Sequence, residues 1–536
     1  MNRFIVNIFA SKFFRILSFT LVFIVVIFFS FNKLGVQELN NADEGIYAKI
    51  SLEMQQTGDY LVPRYGGYPW LEKPPLHLWF NQISFKFFGF NALAIRIIPA
   101  LFFVLNCLLL YLWSKKIWNN QSGLLAIIFL IISKLFVTEH IGRTGDFDMA
   151  LIFFELMALF SYWHLKTGKK WQWCTFGITV GLAGGFWLKS LMIAPVFLVI
   201  FFDWLITNRS QKLLKQLLLS FLLSLIFISP WLVGNYFFLR EAFIHDFWQT
   251  QIANRVQASF GNHLRPVWWY LWFLSWSIAP FFYLSILAII NSFKKFKQNS
   301  LPLLWFLIIL FSFSSVHSKM HWYILPAVIP LLMILANFVW DLAKEKLFLK
   351  IVSLGLLIIG FYSYIHGKHG YDFHAIKDKY FVIVTIIVFL VSWMLVNKKK
   401  KVIDGIVTAL IISLIVGGLL INWKYIKSNI LQPRPSPFNE LVKNYSGQEA
   451  AVYGDLIHNV YIIDLDPSNI FYLKANNINY EVVIDVVELA QIWKQGKMII
   501  TSKQSLIELP PQYSTSKILN QVGDLVIIKN EHQDSE

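Results

Sequence analysis

Two adjacent carboxylates, Asp43 and Glu44, open a segment whose side chains can carry acid–base or metal chemistry. The run reads Asn41-Ala42-Asp43-Glu44-Gly45-Ile46-Tyr47-Ala48 and follows the first apolar stretch of the chain. Adjacent carboxylates at a membrane surface can bind a divalent cation or accept a proton from a substrate. Acidic residues also favour the first turn of a helix, where they meet the positive end of its dipole. The spacing alone leaves both interpretations open.

A lysine between a carboxylate and two prolines follows in the same loop. In the run Tyr68-Pro69-Trp70-Leu71-Glu72-Lys73-Pro74-Pro75-Leu76, Lys73 sits on a stiff, extended backbone. Its ammonium can hold the phosphate of a lipid as a point charge. The alternative is an ordinary interfacial lysine among the aromatic residues that gather at membrane boundaries.

Two aspartates lie in a short turn before a later apolar segment, in Arg143-Thr144-Gly145-Asp146-Phe147-Asp148-Met149. Acidic residues at a membrane boundary are costly unless they are paired or bind a metal. We therefore hypothesise that Asp146 and Asp148 meet Asp43 across the helix bundle. The simpler alternative is that one of the aspartates caps the helix that follows.

Other candidates are less specific. His317 and His321 are four residues apart, but they span a predicted turn, so a zinc site is not expected. An arginine in the loop 235–267, such as Arg255, can bind a phosphate bidentately or simply lie in a solvated loop. Glu155 and Asp203 fall within apolar segments, where they line a cavity or pair inside the bundle.

The composition explains where these residues must lie. The 536 residues are 56% hydrophobic and only 15% charged, with a mean hydropathy of +0.55, whereas soluble chains carry roughly a quarter charged residues. The net charge of +16 comes in short runs between apolar segments, a pattern typical of membrane topology rather than of a nucleic-acid groove. We expect membrane lipids as partners and no nucleic acid.

About thirteen apolar segments are long enough to be transmembrane helices, with centres near residues 24, 103, 130, 157, 181, 198, 224, 279, 309, 331, 357, 388 and 412. No small-residue cleavage site follows the first, so it is predicted to be an uncleaved helix. Alternate loops are rich in lysine and arginine, which predicts a cytoplasmic N-terminus and places the loops 35–91 and 235–267 outside.

The segment after residue 424 has a different character. It opens with Pro433, Pro435 and Pro437, and apolar runs at 450–453, 498–500 and 525–528 are typical of strands, with a helix predicted over 486–494. The predicted fold is an all-α polytopic membrane protein with a transmembrane domain at 1–423 and a small extracytoplasmic α/β domain at 424–536. No glycine-rich nucleotide-binding motif and no internal repeat is visible.

Four motifs occur in a fixed order on the predicted outer side. They are Asp43-Glu44-x-x-Tyr47-Ala48, Glu72-Lys73-Pro74-Pro75-Leu76, Arg143-Thr144-x-Asp146-x-Asp148 and Lys319-x-x-x-Tyr323-x-Leu325-Pro326. Together they resemble the superfamily of aminoarabinose lipid A transferases and protein O-mannosyltransferases, which have the GT-C fold. The resemblance covers about residues 15–340.

The resemblance implies a glycosyltransferase whose donor sugar is carried on undecaprenyl phosphate or a similar polyprenyl phosphate. It implies Asp43 as base or metal ligand, with Glu44 beside it and Asp148 or Asp146 as a second carboxylate. A divalent metal would lie at Asp43 and Asp148. Lys73 would bind the carrier phosphate; the further contacts to carrier or substrate would come from Glu72, Tyr47, Arg143, Lys189, Arg255, Lys319 and Tyr323.

The acceptor that this implies is lipid A, another glycolipid or a protein, at the outer face of the bacterial inner membrane. A transporter or flippase of lipid-linked sugars is the main alternative. It predicts repeated halves and ionisable groups in the middle of the membrane, whereas most candidates here lie at one face. A non-catalytic scaffold would leave the Asp43 and Lys73 motifs without a purpose.

Overall fold

The computed structural model describes residues 12–37, 39, 43–133, 141–253, 264–279, 281–342, 347–366, 402–425 and 437–530, the last range with gaps at 455–456, 460–462, 484, 508, 510–512 and 514–515. The chain divides into two compact units. The membrane unit comprises Met1–Asn32, Leu71–Leu76 and Pro99–Asn429, and the α/β unit comprises Lys33–Trp70, His77–Ile98 and Ile430–Glu536. Most of the first loop therefore belongs to the same compact unit as the C-terminal segment. The predicted domain boundary at 423/424 stays a prediction.

Helices account for most of the described residues. In chain order they are α1 (Lys12–Phe31), α2 (Asp43–Thr57), α3 (Leu76–Phe88), α4 (Ala92–Ile117), α5 (Asn120–Ile132), α6 (Asp148–Lys166), α7 (Trp171–Lys189), α8 (Ala194–Thr207), α9 (Gln211–Leu239), α10 (Glu241–Phe243), α11 (Trp269–Ser277), α12 (Phe282–Lys294), α13 (Phe296–Ser315), α14 (Leu325–Asp341), α15 (Leu347–His366), α16 (Val402–Tyr425), α17 (Pro437–Val442), α18 (Pro467–Ala475), α19 (Val486–Lys494) and α20 (Lys503–Ile507). Short 3₁₀ turns at Ser190–Ile193 and His321–Ile324 and a π-helical segment at Ile244–Ala253 complete them.

Seven helical stretches among the described residues are long and apolar enough to cross a membrane, or up to eight if the pair α11 and α12, bent by 113°, is one span. Three shorter apolar helices lie in α5, α15 and α16. These helices overlap every predicted segment except that near residue 388, which lies outside the described residues. The polytopic helical fold is therefore confirmed, and the count of thirteen stays a prediction.

The chain reverses direction between α7 and α8. Lys189, at the end of α7, pairs with Asp148 at the start of α6, whereas Asp203, near the end of α8, pairs with Lys166 at the end of α6. Between residues 189 and 203 the chain therefore travels from one end of α6 to the other. Ser190 makes the turn with a φ of +52°, which is uncommon for a residue other than glycine. The apolar stretch Trp171–Thr207 thus holds two helices of opposite direction.

The basic turns of the membrane unit gather at one end. Trp118, after α4, donates a hydrogen bond to Asn299 of α13 over 2.9 Å. Asp203 accepts one from Ser300 of α13 over 2.6 Å. These contacts bring the turns after α4, α6 and α8 to the start of α13. We call this the basic end, because it carries the lysine and arginine runs at 115–116, 166–170, 209–215 and 294–297.

Small residues let α7 approach α6 closely. A Cβ atom added to Gly181 would lie 2.7 Å from the carbonyl oxygen of Phe154 and from Cβ of Ala158, and one added to Gly184 would lie 2.4 Å from the Phe154 ring. In lipid, close approach of backbones at small residues is a main source of helix association. This packing carries Lys189 to the opposite end from the basic turns, where α6 begins.

The α/β unit is built around a five-stranded sheet. The strands of the chain are β1 (Arg64–Tyr65), β2 (Tyr68–Pro69), β3 (Glu449–Tyr453), β4 (Ile457–Asn459), β5 (Ile463–Leu465), β6 (Asn479–Val483), β7 (Met498–Ser502), β8 (Lys517–Val522) and β9 (Leu525–Lys529). The sheet order is β6-β3-β7-β9-β8, with β3 parallel to β6 and β7 and with β9 antiparallel to β7 and β8. The predicted strands β3, β7 and β9 occupy the centre, where both faces are buried, so their sequences are continuously apolar.

One face of this sheet also packs on residues from the first loop. Ala48 of α2 and Phe85 of α3 belong to the same buried cluster as Phe471 of α18. The backbone N–H of Leu39 donates to the hydroxyl of Tyr472 over 3.3 Å. The helix that begins at the acidic pair is therefore held by the C-terminal sheet and its helices.

Candidate active site

The site in the membrane unit is built on a buried ion pair. Lys189 Nζ lies 2.7 Å from Asp148 Oδ1, and both side chains are buried. Asp148 is in the first turn of α6 and Lys189 in the last turn of α7, so each charge also meets the favourable end of its own helix dipole. The close packing of the two helices places the pair, and both residues were predicted as site residues.

Lys73 reaches the same place from the first loop. Its Nζ lies 5.0 Å from the centre of the Phe147 ring, within the range of a cation–π contact. Phe147 immediately precedes Asp148 and is fully buried. Two lysine ammonium groups and one carboxylate, from separate parts of the sequence, thus come together around the start of α6.

The turn that carries Asp148 is fixed by contacts to neighbouring helices. Arg143 donates hydrogen bonds to the carbonyl oxygens of Phe29, Ser30 and Asn32 at the end of α1. A Cβ atom on Gly142 would lie 2.5 Å from Cβ of Phe103 in α4, so only glycine fits there without movement. The guanidinium of Arg143 satisfies helix-end carbonyl groups, and the predicted contact to a substrate phosphate stays a prediction.

Asp146 has a local partner. The hydroxyl of Thr144 donates to its Oδ2 atom, and the Asp146 side chain is buried. The N-cap residue of α6 is Phe147, which makes no side-chain cap hydrogen bond. Asp146 supports the turn that presents Asp148, and the capping interpretation of this motif stays a prediction.

A third carboxylate lies deeper in the same helix. Glu155 is seven residues after Asp148 in α6 and fully buried, and neither of its oxygens has a hydrogen-bond partner among the described residues. The charges of Asp148 and Lys189 act on it electrostatically. Asp203, by contrast, is paired within the bundle at the basic end, where Tyr162, Lys166 and Ser300 donate to it.

In the α/β unit, Asp43 begins α2. The hydroxyl of Tyr47, one helical turn later, donates to Asp43 Oδ2 over 3.0 Å. Tyr47 is buried and its ring makes edge contacts with Trp70 and His77, each with ring centres 6.1 Å apart. Tyr47 therefore orients the carboxylate of Asp43. The proximity of Asp43 to Asp148 stays a prediction.

Glu44 forms a different kind of contact. Its two oxygens each lie 2.7 Å from a nitrogen of Arg96, a bidentate pair in which both side chains are buried. Arg96 also donates to the carbonyl oxygens of Leu34 and Gln37, at 3.3 and 2.6 Å. These contacts join α2, the start of α4 and the segment before α2, so the geometry gives Glu44 a structural role. Its predicted catalytic role stays a prediction.

The same helix holds the hairpin that leads to Lys73. Glu53 accepts hydrogen bonds from the backbone N–H groups of Gly66 and Gly67. These glycines have φ values of +60° and +83°, as a two-residue hairpin turn between β1 and β2 requires. The ammonium of Lys49 lies 4.0 Å from the centre of the Tyr65 ring. Glu53 and Lys49 support this hairpin, and the sequence does not single them out because neither belongs to a recognisable motif.

The remaining predicted residues that the structure describes have contacts or surroundings of their own. Lys319 is buried and donates to the carbonyl oxygens of Arg265 and Val316, and burial lowers the pKa of its ammonium. The ring of Tyr323 packs on Phe313 with centres 5.9 Å apart. Glu72 is half-buried beside Lys73. Arg255 lies outside the described residues.

The donor set at Asp148 favours an ammonium over a divalent metal. Asp148 Oδ1 already accepts from Lys189, so a metal at that oxygen would lie against a positive charge. Among the described residues, no three histidine, cysteine, aspartate or glutamate side chains form a group that could hold a metal ion. The predicted metal at Asp43 and Asp148 stays a prediction.

Comparisons with known proteins agree with the fold and with the motifs. Residues 72–233 match the family model described as dolichyl-phosphate-mannose-protein mannosyltransferase. That range includes Lys73, Asp148 and Lys189. It is also the part of the chain that supplies the membrane-unit site.

Two curated relatives carry the same name. The chain is 30% identical over 337 residues to the undecaprenyl phosphate-alpha-4-amino-4-deoxy-L-arabinose arabinosyl transferase of Photorhabdus laumondii, covering 59% of this chain and 60% of the relative. It is 28% identical over 398 residues to the protein of that name in Wigglesworthia glossinidia brevipalpis, covering 71% and 70%. The first match thus spans less than two thirds of that relative's length.

Solved structures share the fold at low identity. The crystal structure of ArnT from Cupriavidus metallidurans bound to undecaprenyl phosphate aligns with a TM-score of 0.70 and 20% identity, over 96% of this chain and 98% of that one. The apo oligosaccharyltransferase of Archaeoglobus fulgidus aligns with a TM-score of 0.51 and 13% identity, over 88% and 65%.

The architecture is therefore that of a GT-C membrane protein. Within that class, the chain is similar in sequence to the aminoarabinosyl transferases and, over residues 72–233, to the protein mannosyltransferases.

Proposed function

We propose that the protein is an integral membrane glycosyltransferase that moves a sugar from a polyprenyl phosphate to an acceptor hydroxyl. The observation that carries this proposal is the cluster of half-buried Lys73 with the buried pair Lys189–Asp148, at the end of the membrane unit opposite to the basic end. Two ammonium groups at a membrane boundary suit a lipid phosphate, because lysine binds phosphate as a compact point charge.

The reaction breaks the bond between the anomeric carbon and a phosphate oxygen and forms a bond from that carbon to the acceptor oxygen. The phosphate leaves with the electron pair of the broken bond, so negative charge grows on it in the transition state. Lys73 and Lys189 would offset that charge in a site of low dielectric, where fixed cations act strongly. Asp148 holds the Lys189 ammonium in position through its 2.7 Å contact.

The acceptor hydroxyl loses a proton as it attacks, and a carboxylate is a suitable base. We assign that role to Asp43 from its motif. Its orientation by the Tyr47 hydroxyl over 3.0 Å supports the assignment, because a base must be held in one rotamer to act repeatedly. Glu44, its neighbour, is engaged with Arg96 and is the less suitable candidate.

The donor and acceptor follow from the relatives. The names of the curated relatives specify an undecaprenyl phosphate aminoarabinose donor, and the ArnT structure contains undecaprenyl phosphate. We propose undecaprenyl phosphate as the carrier here, and lipid A or another glycolipid as the acceptor, with a protein as the second choice. The reaction would occur at the outer face of the bacterial inner membrane, with the basic end in the cytoplasm.

The test uses purified full-length protein in detergent with undecaprenyl-phosphate-linked sugars. Lipid A, other glycolipids and a peptide are offered separately, and products are measured by mass spectrometry. We expect transfer to one acceptor class, at a rate that depends on Lys73 and Asp43. Movement of the lipid-linked sugar across proteoliposomes, without transfer to any acceptor, would contradict the enzyme and favour the transporter alternative.

A further inference from the structure

A cleft opens at the basic end of the membrane unit, away from the Asp148 cluster. Its volume is about 560 Å³, and its lining includes Lys12, Arg15 and Phe19 of α1, Tyr111 and Lys115 of α4, and Asn120 of α5. Helix α1 runs from this cleft to the opposite end, where Arg143 binds its last carbonyl groups. The cleft therefore has no part in the proposed transfer site.

The charge at the cleft has one sign. Lys12, Arg15 and Lys115 are exposed around it. Within the part of the chain that the structure describes, the other lining residues are Ile16, Phe19, Tyr111 and Asn120, none of which is acidic. Three cations around one opening attract an anion strongly, since field lines concentrate in clefts lined by one charge.

The floor of the cleft is fixed by contacts among three helices. The buried hydroxyl of Tyr111 donates to Asn120 Oδ1 over 2.5 Å. The Tyr111 ring lies 4.7 Å from the Phe19 ring, centre to centre, and 5.4 Å from the ammonium of Lys115. A ligand here would meet cations at the rim and an apolar, aromatic floor below, which is the combination that an amphipathic anion requires.

The buried residues of helix α1 (Lys12–Phe31) lie away from the cleft. They are Val26, Phe29 and Ser30, all in the second half of the helix. Beside the cleft, Phe13 and Ile16 are exposed, with relative exposures of 71% and 56%. Exposed apolar side chains on a helix of this hydropathy face lipid, so an acyl chain can reach the cleft directly from the bilayer.

We propose that this cleft binds the phosphate head group of an anionic phospholipid, with Lys12, Arg15 and Lys115 around the phosphate and Phe19 and Ile16 against the glycerol and acyl chain. Basic pockets between transmembrane helices on the cytoplasmic side bind anionic head groups in this way. The lipid bridges α1 to α4 and so secures the first half of α1 in the bundle. This site is independent of the proposed glycosyl transfer.

The experiment measures lipids retained by the intact, purified protein. Native mass spectrometry is run after exchange into detergent with equal amounts of phosphatidylglycerol and phosphatidylcholine. The test variant is Lys12→Gln/Arg15→Gln/Lys115→Gln. The matched control, Lys169→Gln/Lys170→Gln/Lys212→Gln, removes the same charge from exposed lysines of the basic end that do not line the cleft.

We expect the unmodified protein to retain phosphatidylglycerol in preference to phosphatidylcholine. The cleft variant should weaken that binding about 100-fold, since each basic residue near an anionic surface contributes about a fivefold factor, while the control retains it. If the unmodified protein shows no preference for the anionic lipid, the proposal is overturned whatever the variants show. Equal losses in both triple variants would overturn it as well.

A third arm separates the two sources of phosphate. Inorganic phosphate is added at millimolar concentration to protein stripped of lipid and, separately, to protein that has bound phosphatidylglycerol. Weak binding, with no displacement of phosphatidylglycerol, supports a lipid site. Displacement of the lipid by inorganic phosphate at comparable concentration would overturn the lipid part of the proposal.

Discussion

Each unit of the molecule contains a buried ion pair near the sequence motifs, and the two pairs are built differently. In the α/β unit, Arg96 and Glu44 meet through two parallel contacts of 2.7 Å, and Arg96 donates further to backbone carbonyl groups. In the membrane unit, Lys189 and Asp148 meet through a single contact of the same length. Distance and burial therefore do not distinguish the two pairs.

The two pairs differ in how many N–H donors of the cation are already engaged in hydrogen bonds. A guanidinium has five N–H donors. Arg96 uses its donors on both oxygens of Glu44 and on two backbone carbonyl oxygens. This pair therefore stabilises the structure. An ammonium has three donors, and Lys189 commits one to Asp148 among the described residues. The second pair can therefore add an anionic ligand without breaking, which is what a site for a lipid phosphate needs.

The largest expected effect is a loss of catalytic rate when Asp43, the residue beside Glu44, is replaced. Asp43→Asn keeps the shape of the side chain and its acceptor for Tyr47 but removes the basic carboxylate. We expect kcat to fall roughly 100- to 10,000-fold, the usual contribution of general base catalysis. The measurement is transfer by purified protein, with thermal unfolding as the control for folding. Near-normal turnover at normal expression would show that Asp43 is not the base.

The next effect is on stability. Glu44→Gln leaves the buried guanidinium of Arg96 without its opposite charge, and breaking a buried pair in this way costs about 3–5 kcal/mol. We expect a clear fall in the unfolding temperature, with turnover per folded molecule retained. The control is Asp59→Asn, which breaks the exposed Asp59–Arg64 contact of 3.4 Å in the same unit and should cost at most about 1 kcal/mol. Equal stability losses in the two variants would contradict the structural role of Glu44.

The membrane-unit pair should behave as one functional element. Asp148→Asn and Lys189→Gln should each lower kcat/KM about 10- to 100-fold, because a charged hydrogen bond contributes about 1.5–3 kcal/mol. The double variant should be little worse than either single one, since each change removes the same interaction. Fully additive losses would show that the two residues act separately.

The smallest expected effect is that of a chelator. If Lys73 and Lys189 neutralise the carrier phosphate, EDTA should leave the rate of transfer essentially unchanged. The assay compares protein dialysed against EDTA with the same protein given magnesium or manganese. Loss of activity that either metal restores would contradict this and would favour the metal at Asp43 and Asp148 that the sequence motif allows.

Much of the fold follows from local sequence. The apolar runs predict α1, α4 and α6 because a membrane demands long apolar helices, and the central strands β3, β7 and β9 are predicted because burial on both faces requires continuous apolar residues. The grouping of α2 with the C-terminal sheet does not follow, since Ala48, Phe85 and Phe471 are brought together only by tertiary packing.

The candidate site is predictable in type but not in pairing. The motifs identify Lys73 and Asp148, and the family resemblance implies Lys189. Nothing in the sequence says that Lys189 pairs with Asp148, because that contact depends on the glycine-lined packing of α7 on α6. The motifs also treat Asp43 and Glu44 alike. Only the position of Arg96, 52 residues after Glu44, separates a structural carboxylate from its neighbour.

The central claim is that the cations at the start of α6 hold the phosphate of the carrier lipid, and donor kinetics of Lys73→Ala test it most directly. The control is Lys297→Ala, which removes an exposed lysine from the basic end. With purified protein and a polyprenyl-phosphate-linked sugar, we predict that Lys73→Ala raises the KM for the donor about 10- to 100-fold, as loss of a charged contact that binds substrate and transition state alike. The control should keep the normal KM, and an unchanged donor KM in Lys73→Ala would contradict the account.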